Sequence, residues 1–264
     1  MDLGLVGKKA LVSGSTAGIG FGIAKALADE GAHVIVNGRT AERVHKAVAE
    51  IAAPKPKGKA EGIVADLGSE SGAQLLFKQL PEVDILINNL GIFEVKAFGD
   101  IPDADWKRLF EVNVLSGVRL SRQYLPGMLR KNWGRIIFIS SESAVQIPVE
   151  MIHYGMTKTA QLAIARGLAE SVAGTGITVN SVLPGPTRSE GVGNFVQEMA
   201  KQQHIPVDQV ENRFFEKARP SSLLRRFATV EEVAAMVTYV ASTQSSATNG
   251  TALRVDGGVV RSIV

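Results

Sequence analysis

The sequence predicts an α/β fold in which one doubly wound parallel sheet is covered by helices on both faces. Short runs rich in valine and isoleucine alternate along the chain with longer amphipathic stretches. This alternation is typical of parallel strands that are joined by helical crossovers. The short runs are apolar at nearly every position, as strands buried between two helical layers must be.

The predicted elements follow one another in a regular order. The apolar runs interpreted as strands are Lys9–Ser13, Ala32–Asn37, Gly62–Ala65, Val83–Ile87, Arg135–Ile139, Ile177–Val182 and Ala252–Val255. The amphipathic stretches interpreted as helices are Ile19–Glu30, Ala41–Ile51, Asp103–Gly127, Tyr154–Ala173 and Thr229–Ala241. The polar segment Ala53–Gly62 joins a helix to a strand, and we predict a surface loop there.

We predict a single domain over residues 1–264, with a substrate lid at residues 186–228. The lid segment interrupts the regular alternation and contains, beyond its first residue, two prolines, Pro206 and Pro220. Irregular segments of this length in a compact domain are usually functional. Its apolar side chains favour a partly apolar substrate; they include Phe195, Met199, Phe214 and Phe215.

Composition excludes several classes of function. The 29 basic and 26 acidic side chains give a net charge of +3, and the basic residues form no stripe, so nucleic acid is not an expected partner. The absence of cysteine excludes disulfides and thiol nucleophiles. The four histidines show no ligand spacing, and no metal site is expected. No apolar run approaches the roughly 20 residues that cross a bilayer, and no signal peptide is recognisable. We therefore expect a cytoplasmic protein without a membrane partner.

A glycine-rich loop, SGSTAGIG, runs from Ser13 to Gly20 between the first strand and the first helix. Its glycines, Gly14, Gly18 and Gly20, allow a sharp turn and a close approach of the backbone to a pyrophosphate at the helix N-terminus. The alternative is a turn that is merely tight. Because the loop directly follows an apolar strand, we favour a Rossmann-type dinucleotide-binding domain.

The end of the second strand bears on the choice of dinucleotide. An acidic residue there would bind the ribose 2′-hydroxyl of NAD, whereas an arginine would pair with the 2′-phosphate of NADP. The sequence is Asn37-Gly38-Arg39, without a carboxylate. We therefore predict NADP(H) over NAD(H), with Arg39 on the phosphate. The alternative is that Arg39 only covers the adenine.

Tyr154 and Lys158 are four residues apart on a predicted helix and so share one face. Ser141 ends a strand thirteen residues before the tyrosine (154 − 141). A free tyrosine has a pKa of about 10, and a nearby ammonium is expected to lower that pKa. The serine hydroxyl could orient a substrate oxygen. A Y-x-x-x-K pair alone is weak evidence, because it occurs by chance on many helices.

The chain resembles the short-chain dehydrogenase/reductase family, in particular its 3-oxoacyl reductases and carbonyl reductases. The shared motifs appear in the family's order from one end of the chain to the other. They are Gly14 to Gly20, Asp66-Leu67, Asn88-Asn89-Leu90-Gly91, Asn113, Ser141, Tyr154 with Lys158, Pro184-Gly185 and Val255-Asp256-Gly257-Gly258. Two positions depart from the family pattern, because Ser13 replaces a threonine and Leu90 replaces an alanine.

The resemblance implies roles for individual residues. The implied catalytic residues are Asn113, Ser141, Tyr154 and Lys158, with Asn113 holding a water in a proton relay to Lys158. The implied cofactor-binding residues are Gly14, Ser15, Thr16, Gly18, Ile19, Gly20, Arg39, Asp66, Leu67, Asn89, Gly91, Tyr154, Lys158, Pro184, Gly185, Thr187 and Ser189. Among these, Asp66 and Leu67 would flank the adenine, Lys158 would bind the nicotinamide ribose, and the backbone of residues 185–187 would meet the carboxamide.

The predicted activity is NADPH-dependent reduction of a ketone or aldehyde, of the 3-oxoacyl type. One alternative is an NAD-dependent alcohol dehydrogenase. Another is a non-catalytic protein that senses the cofactor, against which the intact Ser141, Tyr154 and Lys158 argue. The substrate and the dominant direction of the reaction are left open.

Other side chains allow more than one interpretation. Glu142 either recognises a polar substrate or is a hydrogen-bonded loop carboxylate. His153 is more plausible in the wall of the cleft or in a subunit contact than in catalysis. Arg130 and Lys131 either dock an acidic acyl carrier or form a solvated helix end.

We also predict a homotetramer. The stretches Trp106–Leu129 and Tyr154–Ala173 are apolar on more than one face, so part of each surface needs a partner besides the sheet. Pairing across a two-fold axis would bury that surface. The apolar ending Ala252–Val264 offers a second contact.

Overall fold

A computed structural model describes residues 2–190, 193, 197, 200–201 and 206–263. Within these residues, seven strands form one parallel sheet in the order β3-β2-β1-β4-β5-β6-β7. The strands are β1 (Lys9–Val12), β2 (His33–Gly38), β3 (Lys59–Val64), β4 (Ile85–Asn88), β5 (Gly134–Ile139), β6 (Ile177–Pro184) and β7 (Ala252–Val255). The described helices are α1 (Gly18–Asp29), α2 (Ala41–Ala52), α3 (Glu70–Gln79), α4 (Asp103–Phe110), α5 (Ser116–Lys131), α6 (Ile152–Ser171), α7 (Val207–Lys217) and α8 (Val230–Ala241).

Helices cover both faces of the sheet, as the sequence predicts, and each face has its own apolar core. On one face, α1 and α8 pack against the strands, with Ile23 and Val237 fully buried. On the other face, α3, α5 and α6 supply a second cluster that includes Leu76, Leu120 and Ala165. The doubly wound fold class is therefore confirmed.

The strand order changes direction between β1 and β4, which lie side by side in register. In such sheets, ligands bind in the crevice outside the carboxyl ends of the strands at this switch point. Because all the strands are parallel, the loops that follow β1, β4, β5 and β6 meet at one edge. The predicted site residues are concentrated in these loops.

Two sequence predictions need correction. The segment Ala53–Gly62 is not all loop, because β3 begins at Lys59 and pairs residue by residue with β2. As an edge strand, β3 is largely exposed, with Ile63 its one buried side chain, so the rule of continuous apolar runs finds only its second half, from Gly62. The helix α3 was also not predicted. Its N-terminus is capped by Ser69, which accepts a hydrogen bond from the backbone N–H of Gly72.

The predicted helix Asp103–Gly127 is interrupted. A π-helical turn at Glu111–Leu115 separates α4 from α5, which continues to Lys131. Turns of this kind occur often at functional sites, and this one carries Asn113. The remaining element boundaries agree with the predictions to within about two residues, the usual uncertainty of helix and strand ends.

Part of the predicted lid is described. Residues 207–217 form α7, and the rings of Phe214, Phe215 and Phe227 pack together with centroids 5.1–5.3 Å apart. Phe195 and Met199 lie outside the described residues. A search of the described helices found none long and apolar enough to pass through a membrane.

Candidate active site

The glycine loop forms a tight turn at the end of β1. Gly14 and Gly18 adopt left-handed backbone conformations, with φ of 61° and 57°. A Cβ atom at Gly20 would lie 2.4 Å from Nδ2 of Asn89, so only glycine fits there. The helix α1 has no side-chain cap at Ala17 and no acidic residue in its first turn. Its first backbone N–H groups and its dipole are therefore suited to an anion.

Ser13 and Asn89 tie the loop after β1 to the loop after β4. Ser13 Oγ accepts hydrogen bonds from the backbone N–H groups of Asn89 and Leu90, both at 3.0 Å. Asn89 Nδ2 donates in return to the carbonyl oxygens of Ser13 and Gly14 at 2.9 and 3.0 Å. The hydroxyl of Ser13 therefore makes both contacts, and the methyl group that a threonine would add is not needed for them. Asn89 therefore stabilises the conformation of the glycine loop.

Asn37 holds the same loop from the other side, and the sequence analysis did not single it out. Its Oδ1 accepts from the N–H of Gly14 at 3.2 Å, and its Nδ2 donates to the carbonyl oxygens of Ile63 and Ala65. Ser15 Oγ accepts from the N–H of Asn37 at 3.0 Å. A buried asparagine ending an apolar strand is the signal that could have identified it, since a buried amide needs partners.

The adenine end of the predicted cofactor groove contains Gly38 and Arg39. A Cβ atom at Gly38 would lie 2.4 Å from Cγ2 of Thr16, so a larger residue there requires the threonine to move. Arg39 is exposed and, among the described residues, makes no hydrogen bond or ion pair. Arg43 differs, because its guanidinium lies 3.1 Å from the carboxylate of Glu190.

Asp66 and Leu67 follow β3 in this region. Asp66 is exposed, and its Oδ1 accepts from the N–H of Gly68 at 3.1 Å. The side chain of Leu67 is buried in the core. Any contact of Leu67 with an adenine would therefore come from its backbone.

Ser141 follows β5 and is buried beside a charged pair. Its hydroxyl donates to Oε2 of Glu142 at 2.5 Å, and its Oγ accepts from the N–H of Ser143 at 3.1 Å. The other carboxylate oxygen of Glu142 accepts from Nε of Arg219 at 3.0 Å. The sequence left the role of Glu142 open; the structure shows that it is buried and fully hydrogen-bonded.

Tyr154 and Lys158 lie on one face of α6, next to Ser141. Lys158 Nζ donates to the carbonyl oxygen of Ile139 at 2.9 Å and to Oε1 of Gln161 at 3.5 Å. Burial lowers the pKa of Lys158 to about 8. Burial also raises the pKa of Tyr154, as does the negative charge of Glu142, while a hydrogen bond with Ser141 acts in the opposite direction.

The direction of this shift differs from the sequence expectation for Tyr154. The sequence analysis expected the Lys158 ammonium to lower the tyrosine pKa. In the structure, the cost of burying a phenolate outweighs nearby positive charge. The tyrosine hydroxyl is therefore held in its protonated form.

Asn113 connects the π-helical turn to the site. Its Oδ1 accepts from the N–H of Ile92 at 2.8 Å, and its Nδ2 donates to Oγ1 of Thr157 at 3.0 Å. A Cβ atom at Gly91 would lie 3.4 Å from Nζ of Lys158 and 3.5 Å from Oδ1 of Asn113. Nζ of Lys158 and Oδ1 of Asn113 thus both lie next to Gly91. Because glycine has no side chain, there is space for one small molecule to contact both groups.

A cavity of about 820 Å³ opens at this edge of the sheet. Many of the predicted site residues line it: Ile19, Asn89, Gly91, Ser141, Tyr154, Lys158, Pro184, Gly185, Thr187 and Ser189. Side chains that the sequence analysis did not assign to the site also line it, among them Phe93, Val95, Glu150, Met151, Arg219 and Phe227. Phe214, expected in the lid, is part of the same lining. The structure therefore brings the serine, the tyrosine and the lysine together with the predicted cofactor loops.

The remaining candidates lie elsewhere. His153 is completely buried, packs edge-on against Trp106 at 5.9 Å and does not line the cavity. Arg130 and Lys131 form ion pairs with Glu82, at 2.7 and 3.2 Å, at the exposed end of α5. These contacts favour the solvated helix end over a docking site for an acyl carrier.

A parallel sheet with a glycine loop at its switch point and a Ser–Tyr–Lys cavity beside it defines an oxidoreductase that uses a nicotinamide cofactor. Comparison with known proteins supports this class. A sequence model described as short chain dehydrogenase matches residues 8–200. The chain belongs to the short-chain dehydrogenase/reductase family, whose members act on CH–OH and C=O groups.

Several relatives match over their whole length. The uncharacterized oxidoreductase YvaG of Bacillus subtilis is 50% identical and is covered completely, as is this chain. The 3-oxoacyl-[acyl-carrier-protein] reductase FabG of Aquifex aeolicus is 33% identical over 98% of this chain and 100% of its own. Among solved structures, L-sorbose reductase of Gluconobacter frateurii, complexed with NADPH and L-sorbose, superposes with a TM-score of 0.92 at 28% identity and full coverage of both chains.

Proposed function

We propose that this protein is an NADPH-dependent carbonyl reductase. The observation that carries the proposal is the convergence of Ser141, Tyr154 and Lys158 on one cavity that also reaches the loops after β1, β4 and β6. A protein that only sensed the cofactor would not need three catalytic side chains in one cavity. The assembled cavity therefore favours an enzyme.

The residues around the glycine loop fit a dinucleotide. The left-handed glycines and the uncapped start of α1 would hold the pyrophosphate. Asp66 would lie near the adenine, and Gly91 leaves space beside Lys158 for a ribose. Ser189 lies over the loop, since a Cβ atom at Gly18 would be 3.3 Å from its Cβ. The backbone after β6 would close over the nicotinamide end.

Arg39 supports NADP(H) as the cofactor. An exposed guanidinium without an acidic partner, next to a glycine, is suited to a 2′-phosphate and offers no carboxylate to a free ribose hydroxyl. The similarity to a reductase that was solved with NADPH points in the same direction. Cofactor preference is therefore proposed from charge and similarity together.

The roles of the side chains follow from their positions. When bound, NADPH supplies the hydride that reduces a carbonyl carbon. Tyr154, kept protonated by burial, donates its proton to the carbonyl oxygen. Ser141 stabilises the developing negative charge on that oxygen, and Lys158 brings a positive charge close to both. Asn113 fixes the loop that carries Gly91 and so keeps the space beside Lys158 open.

A direct test measures the oxidation of NADPH by absorbance with a panel of ketones and aldehydes, and repeats each assay with NADH. We expect turnover with at least one carbonyl compound and tighter binding of NADPH than of NADH. Binding of either cofactor is measured separately by fluorescence, so that a wrong substrate panel can be distinguished from a protein that does not bind the cofactor. Cofactor binding with no turnover of any carbonyl or alcohol would contradict the proposal.

A further inference from the structure

A buried ion pair lies in the wall of the cavity, and the reduction of a simple ketone does not require it. The side chains of Glu142 and Arg219 are 6% and 9% exposed, and their closest atoms are 3.0 Å apart. Taking two charges out of water is costly, and such a pair often contributes little to stability. The pair also joins two distant parts of the chain, because Glu142 follows β5 and Arg219 follows α7.

Ser141 donates its only hydroxyl proton to the carboxylate of Glu142. Oε2 of Glu142 accepts from Ser141 Oγ at 2.5 Å and from the N–H of Ser143 at 2.9 Å. A serine hydroxyl has one hydrogen, so Ser141 cannot donate to Glu142 and to a substrate oxygen at the same time. When Ser141 turns to the substrate, a buried carboxylate loses a charge-assisted bond, and such bonds are stronger than neutral ones.

We propose that the substrate replaces this bond with a hydroxyl group of its own, on the carbon next to the carbonyl. The inference rests on the proposed function and specifies its substrate class: an α-hydroxy ketone or α-hydroxy aldehyde, and in the reverse direction a vicinal diol. The substrate hydroxyl donates to Oε2 of Glu142, while Ser141 donates to the adjacent carbonyl oxygen. The number of hydrogen bonds to the buried carboxylate is thereby unchanged.

The charges in the cavity wall also favour an uncharged substrate. Nη1 of Arg219 lies 3.5 Å from Oε1 of Glu150, so this guanidinium contacts two carboxylates. The carboxylate of a keto acid would place a third negative charge near the guanidinium of Arg219, which already contacts two carboxylates. The cavity therefore favours a neutral hydroxylated carbonyl compound over an acidic one, and its phenylalanines contact the carbon chain.

The test compares two small ketones that differ by one hydroxyl group, 3-hydroxy-2-butanone and 2-butanone, with saturating NADPH. For the native protein we expect kcat/KM to be about 100-fold higher for the hydroxyketone, in line with the penalty for leaving a buried polar group without its hydrogen bond. 2-Oxobutanoate, the acidic analogue, should be a poor substrate. Turnover of both butanones without a preference would overturn this inference alone.

Because a hydroxyl group also activates a carbonyl electronically, variants separate the two effects. Glu142→Gln should reduce the ratio of kcat/KM for 3-hydroxy-2-butanone to kcat/KM for 2-butanone about 10-fold, since it removes a charge-assisted bond to the substrate hydroxyl. Glu150→Gln is the matched control, because Glu150 lines the same cavity without contacting Ser141, and it should change the ratio little. An equal loss on both ketones would show that Glu142 acts only through Ser141, and would overturn the inference.

Glu142→Gln removes the nearer of the two carboxylates that contact the buried Arg219, and this change can impair folding. The double variant Glu142→Gln/Arg219→Met removes both charges, a change that proteins often tolerate. It should bind NADPH like the native protein and should lose most of the preference for the hydroxyketone. A preference as large as that of the native protein in this folded variant would contradict the proposal. If the native protein turns over no carbonyl compound with either cofactor, the proposed function fails, and this inference fails with it.

Discussion

The Nζ atom of Lys158 lies 5.6 Å from the centre of the Tyr154 ring. The ammonium of Lys158 donates its hydrogen bonds to the carbonyl oxygen of Ile139 and to Oε1 of Gln161. The tyrosine hydroxyl lies next to Ser141, and the negative charge of Glu142 helps to raise the pKa of this hydroxyl. The two residues of the Y-x-x-x-K pair therefore have separate surroundings, and their substitutions should have separable effects.

Replacing Tyr154 with phenylalanine removes the proposed proton donor and little else. We expect carbonyl reduction to fall at least about 100-fold, the lower range for loss of general acid catalysis. The affinity for NADPH should stay nearly unchanged, because the hydroxyl acts on the substrate. Initial rates by cofactor absorbance and binding by fluorescence titration give both quantities. Substantial reduction by the folded variant would show that another group supplies the proton.

Lys158→Met should stabilise the protein near neutral pH while it abolishes turnover. The pKa of Lys158 is about 8 when folded and near 10.5 ordinarily. Between these pH values the unfolded chain binds more protons, so native stability rises with pH in that window. Below pH 8 the buried ammonium costs roughly 3 to 4 kcal/mol (10.5 − 8, at about 1.4 kcal/mol per pH unit).

Thermal unfolding at several pH values tests this prediction. The methionine variant should unfold at a higher temperature than the native protein at pH 7, and the difference should shrink as the pH rises from about 8 towards 10.5. Lys46→Met is the control, because the Lys46 side chain is 75% exposed and should show no such trend. A difference between native and Lys158→Met that is constant over this pH range would show that Lys158 is not buried with a lowered pKa.

The sequence was sufficient for the fold class and for the residues that belong to short motifs. Gly14, Ser141, Tyr154 and Lys158 could be placed together because each follows a recognisable strand or begins a recognisable helix. The carboxyl ends of parallel strands meet at one edge, so position along the chain was enough to bring them together.

Other parts of the site depend on contacts that no local pattern encodes. Arg219 reaches Glu142 across 77 positions of the chain, through a segment whose course the sequence does not reveal. The π-helical turn at Asn113 has no distinctive composition. The pKa of Tyr154 was expected to be lowered, because burial and Glu142 could not be weighed against Lys158 without coordinates. The edge strand β3 was predicted only from Gly62, and its first half was assigned to a loop, because most of its side chains are exposed.

Arg39→Ala should weaken NADPH binding and leave NADH binding nearly unchanged. We expect a loss of about 1.5–3 kcal/mol, the range for hydrogen bonds to charged groups. The effect should decrease at high salt, since the side chain is exposed. Isothermal titration with both cofactors measures the difference.

Arg43→Ala is the matched control for Arg39. It removes an exposed guanidinium from the same helix end, but one that is paired with Glu190. We expect a smaller loss of NADPH affinity than for Arg39→Ala. Equal affinity of the native protein for NADH and NADPH would contradict the prediction drawn from the second strand.

The predicted homotetramer depends on the outer faces of the helices that follow β4 and β5. Nine apolar residues in Trp106–Leu129 and Tyr154–Ala173 carry this prediction, and of these Leu109, Val114 and Val172 are buried in the core. The others keep part of their surface exposed: Phe110, Val118, Leu125, Leu162, Ile164 and Leu168. At the end of the chain, Val259 and Val260 are buried while Ile263 is 96% exposed. Apolar surface thus persists on both predicted contacts, and pairing across two-fold axes would cover it.

Sedimentation at micromolar concentration should give a mass of about 112 kDa (4 × 28.1 kDa), or at least that of a dimer. Val118→Asp places a charge on the outer face of α5 and should shift the protein towards smaller species, because burying an unpaired charge in an interface is costly. Val6→Asp is the control, since Val6 is 73% exposed and lies outside both predicted contacts. A native protein that sediments as a monomer of about 28 kDa would refute the assembly, because the outer faces of α5 and α6 would then be stable in water.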